Sequence, residues 1–239
     1  MNSFYDGEGN NIVIKSEMNA SVLDYLTDAF STAICIGDSV TKGVGSVSDG
    51  SKVEEFSYPT RLAKTTGWII ENAGFGGITA LGWWQQKFKD YDFSQYQVAI
   101  IELGLNHGLT DTLDADVIGD DYTKYADTNT GGYCKIIEGI KAQNEKAFIV
   151  LVISNGLGET PKSVINKIGK KYGLHVIDLT DKTYIDLADS KYHPSSGDVH
   201  LNIMGYLAKA KLIHLGLGEA INNNISYINS ALAIAADSV

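Results

Sequence analysis

Apolar residues in this chain fall into short runs. They lie at residues 32–37, 68–72, 97–103, 147–153 and 174–179. Each run is rich in β-branched residues and bounded by Gly, Asn or Asp, the pattern of a strand buried on both faces. Helical spacing alternates with them. Over 160–172, Val164, Ile165, Ile168 and Tyr172 form one stripe; Thr160 is placed to cap, Pro161 suits the first helical position, and Gly173 stops the helix. Over 202–215, Tyr206, Leu207, Ala210 and Ile213 recur at helical spacing. Strands alternating with helices predict an α/β domain whose parallel sheet is covered on both faces. Such sheets carry their sites beyond the carboxyl ends of the strands, so chemistry is expected just after each run.

The two ends read differently. Phe4-Tyr5-Asp6-Gly7-Glu8-Gly9 is a turn signal before a short strand at 11–14, and 21–30 has helical character. Residues 1–30 are therefore expected to form an N-terminal extension packed on the domain, with the domain itself at 31–216. The last helix is expected to end near Gly216 to Gly218, leaving 217–239 as a helical tail. There Ile221, Ile225, Ile228, Leu232, Ala235 and Val239 recur at intervals of four and three, a heptad-like seam. The seam either folds back on its own domain or pairs with a second copy in a homo-oligomer. Its shortness, and the weak helix formers Asn222, Asn223 and Asn224, favour folding back.

Length and composition narrow the field. A chain of 239 residues with 44% apolar composition fits one globular domain. A net charge of −10 argues against nucleic acid and against an anionic membrane surface. No run reaches the roughly 18 apolar residues of a transmembrane helix. The polar, acidic opening lacks the basic start and apolar stretch of a secretory signal, so a cytoplasmic or virion-associated protein is expected. Cys35 and Cys134, in a strand-like and a helix-like run, read as buried free thiols in a reducing compartment, and two such residues make no zinc site alone. The acidic stretch at 111–121 lacks the ligand spacing of a calcium loop.

The residues after the runs carry the candidate chemistry. The first run ends in Ile36-Gly37-Asp38-Ser39-Val40. A serine where strand turns into helix is exposed and carries an unpaired N–H, as a nucleophile needs; an ordinary helix cap explains the same residues. Thr41 stands where the Gly-x-Ser-x-Gly elbow needs glycine. The second run enters Asn72-Ala73-Gly74-Phe75-Gly76-Gly77, which lets backbone approach a ligand or simply makes a flexible turn. Thr79 breaks a dinucleotide fingerprint there. The third run leads to Gly104-Leu105-Asn106-His107, where Asn106 could donate to an oxyanion or make an Asx turn. Before the last helix stands Asp198-Val199-His200, a candidate general base that is equally a structural histidine when taken alone.

Together the four blocks, in this order, resemble the SGNH (GDSL-like) hydrolases over about residues 31–216. The resemblance implies a three-layer αβα sandwich with a flavodoxin-like parallel sheet of about five strands. It makes Ser39 the nucleophile, His200 the base, and Ser39, Gly77 and Asn106 the oxyanion hole. Two positions depart from the family pattern. His107 replaces an Asp that in the family mainly shapes the loop. The family's orienting Asp sits three residues before the His, where this chain has Gly197; its acid, Asp198, is two before. Either Asp198 reaches Nδ1 of His200, or a backbone carbonyl does that work.

The implied reaction is ester cleavage through an acyl-enzyme, without metal or organic cofactor. The family includes carbohydrate O-deacetylases, lysophospholipases, thioesterases and small-ester hydrolases. A small acyl group, acetyl, on a carbohydrate is the expected substrate. Asp38, His107 and Trp83 are candidate substrate-binding residues; Trp83 or Trp84 could stack on a sugar, unless Leu81, Trp84 and Phe88 are core. The opening at 3–10 is loosely similar to those of phage and gut-type Gram-positive proteins carrying this domain. The alternative is a catalytically weak module serving in binding or structure, for example phage-associated recognition of a surface glycan.

Overall fold

A parallel strand with no exposed face must bury every side chain; the runs at 32–37, 98–102 and 148–153 bury all but Thr32, whereas the two edge runs are buried only in part and leave Ile69 exposed. The computed structural model describes residues 4–5, 11–12, 29–110, 113–117 and 121–224. The runs form β1 (Thr32–Gly37), β2 (Ile69–Gly74), β3 (Val98–Glu102), β4 (Phe148–Ile153) and β5 (His175–Asp178). They pair in parallel in the order β2-β1-β3-β4-β5. Gly37 at the end of β1 lies between Gly74 of β2 and Glu102 of β3. The three loops that follow these strands therefore leave the sheet side by side.

Alternation along each strand divides the core into two layers. Ala33, Cys35, Val98, Ile100, Val150 and Val152 face α2 (Tyr58–Thr66) and α6 (Ile203–Asn223). Ile34, Ile36, Ala99, Ile101, Ile149 and Leu151 face α3 (Ala80–Gln86), α4 (Asn129–Gln143) and α5 (Glu159–Tyr172). The result is a three-layer αβα sandwich. Both cysteines are buried and free. No helix among the described residues is long and apolar enough to cross a membrane.

Several expectations need correction. Helix α5 begins at Glu159, with Gly158 rather than Thr160 at its N-cap. The last helix does not end near Gly216 to Gly218. It continues to Asn223, because Gly216 sits where a Cβ would lie 2.7 Å from Ile177 Cγ1, and Leu217, Ala220 and Ile221 are buried on the same face. Ile221 thus belongs to the domain core. The other seam positions, Ile225 to Val239, lie outside the described residues. At the other end Phe4–Tyr5 pairs antiparallel with Asn11–Ile12. Most of the helix expected at 21–30 lies outside the described residues, although Phe30 stacks on Phe148 with ring centroids 5.6 Å apart. Of the acidic stretch, Leu113–Asp116 is a short helix and Asp121 caps the turn that follows it; residues 111–112 and 118–120 lie outside the described residues.

One close approach positions the site. The short helix α1 (Ser39–Lys42), which follows β1, crosses the end of β2 at Gly74. A Cβ on Gly74 would lie 2.3 Å from Lys42 N and 2.7 Å from Thr41 C, both backbone atoms. Gly74→Ala is expected to push α1 off the sheet edge and destabilise the protein by about 1–3 kcal/mol, the usual cost of overpacking. At about 2–4 °C per kcal/mol for a chain of this size, a thermal melt reads this as a loss of several degrees. An unchanged Tm would mean that α1 yields freely.

Candidate active site

The chain leaves β1 at Asp38, whose Oδ1 accepts the N–H of Val40 at 2.9 Å and so caps α1. Ser39 is the first residue of α1, and its N–H is among those with no partner inside a helix. Its Oγ lies 2.9 Å from Nε2 of His200, a residue 161 positions away in sequence. Nδ1 of the same ring lies 2.8 Å from Oδ1 of Asp198. With Nδ1–H donated to the carboxylate, Nε2 carries the lone pair that accepts from the serine hydroxyl.

Local geometry explains how an acid two residues before the histidine reaches its ring. Asp198 Oδ1 also accepts the backbone N–H of His200 at 2.9 Å, an Asx turn that lays the carboxylate alongside residue i+2. That backbone hydrogen bond holds the Asp198 carboxyl below the ordinary carboxylate range. The two side chains remain 30% and 25% exposed, open enough to meet a ligand. The loop is braced from behind. The ring nitrogens of His193 lie 2.9 and 2.8 Å from the carbonyl oxygens of His200 and Leu187, and Asn202 caps α6 while donating to the carbonyl of Lys191.

Gly77 and Asn106 follow β2 and β3, the strands on either side of β1. One amide hydrogen of Asn106 is donated to the carbonyl of Ile78 at 3.2 Å, which ties its loop to the residue after Gly77. The amide has a second hydrogen to give. Gly77 is exposed, at φ +72, in a conformation L side chains rarely adopt.

Two candidate substrate-binding residues are not where a substrate could touch them. Trp83 is 0% exposed: its indole N–H donates to the carbonyl of Ala73 at 3.0 Å, and its ring stacks on Tyr91. Trp84, its neighbour around the helix, is half-buried against Phe88 and Tyr122. Asp38 is 1% exposed and faces inward as a cap. His107 is exposed at φ +83, with its carbonyl accepting from Asn129 Nδ2.

Sequence reasoning missed a buried polar cluster directly beneath the site. Lys209 of α6 and Glu102 of β3 form a hydrogen-bonded ion pair at 0% and 1% side-chain exposure. Thr41 of α1 donates to Glu102 Oε2 at 3.2 Å. The available signal was a charge of each sign set inside an apolar pattern: Glu102 closes the run Val98–Glu102, and Lys209 sits among the core positions of α6.

A serine in hydrogen-bonding reach of an aspartate-held histidine, at the carboxyl edge of this αβα sandwich, is the architecture of the SGNH fold. The chain belongs to the GDSL-like lipase/acylhydrolase family, which it matches over residues 35–208. Solved structures share the fold. A protein assigned to the G-D-S-L lipolytic family from Desulfitobacterium hafniense DCB-2 has a TM-score of 0.54 at 19% identity, over 78% of this chain and 99% of that one. A family two carbohydrate esterase from Clostridium thermocellum, solved with cellohexaose, has a TM-score of 0.57 at 18% identity, over 82% and 65%. A two-domain esterase active on acetylated mannans has a TM-score of 0.57 at 18% identity, over 86% and 53%. This chain thus spans only part of those two esterases. A comparison with curated protein sequences gave no match. Family membership supports an ester hydrolase.

Asp38 Oδ2 is buried without a hydrogen-bond partner among the described residues. Burial, and then the charge of Glu102, push its carboxyl up to about 7. A carboxyl raised above its unfolded value of about 3.9 contributes stability that is fully present below that value and lost as pH rises through about 7. Asn keeps the capping oxygen without the charge. Asp38→Asn should therefore flatten the fall in Tm between about pH 4 and pH 7. Parallel Tm profiles for the two proteins would overturn this reading.

Proposed function

We propose that the protein is a serine esterase that removes a small acyl group, acetyl, from a carbohydrate. The observation that carries this is the Asp198–His200–Ser39 chain of hydrogen bonds at 2.8 and 2.9 Å. In this reading His200 Nε2 takes the Ser39 proton as Oγ attacks the ester carbonyl. The oxyanion is held by the N–H groups of Ser39 and Gly77 and by the free amide hydrogen of Asn106. His200 then protonates the leaving alcohol, and water activated by the same ring releases the acid from the acyl-enzyme. Asp198 holds the ring in the productive tautomer and stabilises the imidazolium. His107 shapes the loop that presents Asn106, and its exposure beside that loop suits contact with the alcohol. Similarity in fold to a carbohydrate esterase and to an esterase active on acetylated mannans supports the acyl and alcohol chosen.

Incubation with a fluorophosphonate probe and with a panel of acetyl to octanoyl aryl esters tests the reading. Wild type is expected to label and to turn over the acetyl ester fastest, while Ser39→Ala does neither and melts normally. A wild-type protein inert to both reagents would favour a catalytically weak binding module instead.

Asp198→Ala removes the oxygen that accepts both the Nδ1–H and the backbone N–H of His200. It is expected to lower kcat by up to about 10⁴, with little change in KM. A loss below about tenfold would remove Asp198 from the orienting role.

A further inference from the structure

Ser39, Asn106 and His200 come from separate parts of the chain, and their loops must be kept in register. The buried cluster beneath them touches every one of those parts. Glu102 ends β3, the strand whose loop carries Asn106. Its Oε2 accepts from Thr41, the fully buried residue two places after Ser39 on α1. Its Oε1 accepts from Lys209, on the helix that begins just after the His200 loop. Lys209 also lies 3.4 Å from Ser154 Oγ and 3.3 Å from Asn155 Oδ1, at the end of β4. Asn155 precedes Gly156, where a Cβ would lie 3.9 Å from Cγ1 of Val199, the residue between Asp198 and His200.

All three ammonium hydrogens of Lys209 have an acceptor, and both oxygens of Glu102 have a donor. The Tyr58 ring lies 5.4 Å from the ammonium, and the Tyr58 hydroxyl is 3.4 Å from Thr41 Oγ1. Stability alone does not explain such a pair. Replacing a buried ion pair with well-packed neutral side chains is often neutral or stabilising. What the pair supplies is direction: each hydrogen bond fixes one element relative to another.

We propose that Glu102 and Lys209 are positioning residues, locking the helix that carries Ser39 to the helix behind His200 so that Oγ and Nε2 meet at reacting distance. The proposal rests on the hydrolase reading above. It adds residues that do not touch the ester and act only through where they hold Ser39 and His200. A displacement on the order of 1 Å in such a site costs about 10²-fold in rate.

The test uses the full chain with Glu102→Gln/Lys209→Met, which removes both charges at similar volume. The measurements are Tm, the number and rate of fluorophosphonate-labelled sites, and kcat and KM on an aryl acetate. The expected result is a Tm near that of wild type, KM unchanged, and kcat per labelled site lower by about 10–100-fold. Thr41→Val provides a second arm if the double variant does not fold. It cuts the link from Glu102 to α1, together with the contact between Thr41 and the Tyr58 hydroxyl, and should lower kcat severalfold at constant KM. Wild-type kcat per labelled site in the double variant, or in Thr41→Val should the double variant not fold, overturns the proposal, because a merely structural role changes the number of active molecules and not their rate. A wild-type protein that neither labels nor turns over would instead sink the hydrolase reading beneath it.

Discussion

Burying a charge in a protein interior costs several kcal/mol unless an opposite charge and enough hydrogen bonds replace its water. Lys209 meets that condition with Glu102, Ser154 and Asn155, and Glu102 meets it with Lys209 and Thr41. These partners belong to α1, the ends of β3 and β4, and α6. The pair can exist buried only where those four elements converge, which is directly under the carboxyl edge of the sheet. The same constraint reaches Asp38, whose carboxyl is pushed up by burial and by the charge of Glu102. The residue that caps the serine helix therefore sits within the field of the cluster below it.

Above that cluster the sheet order does most of the positioning. With β1 between β2 and β3, the loops bearing Gly77 and Asn106 flank Ser39 from either side. The histidine arrives from the far end of the chain and is fixed by short-range devices: an Asx turn at Asp198, the His193 ring on two carbonyls, and the Asn202 cap. The Asx turn shows how a contact between an acid and a histidine ring tolerates a change of spacing. The oxygen that bonds the backbone of residue i+2 is the same oxygen that reaches its ring.

The tryptophan pair illustrates the opposite limit. Adjacent helical residues point about 100° apart, so only one of Trp83 and Trp84 could face the sheet. Trp83 does, because the carbonyl of Ala73 at the end of β2 accepts its indole N–H. Trp83 is therefore closed to a sugar.

The strands, their parallel arrangement, the positions of Ser39 and Asn106 just beyond strand ends and that of His200 just before the last helix were legible in the sequence. Apolar runs, helical stripes and turn residues are local, and a motif at a strand end needs only the adjacent backbone to be placed. Tertiary structure alone decided the rest. Whether α6 stops at Gly216 depended on whether that glycine meets Ile177 of β5. Which tryptophan is buried depended on how α3 docks. Whether Asp198 or a carbonyl faces Nδ1 depended on a turn that two residues of sequence do not specify. The pairing of Glu102 with Lys209 joins residues 107 apart, and no local pattern records a contact that exists only once both elements have packed.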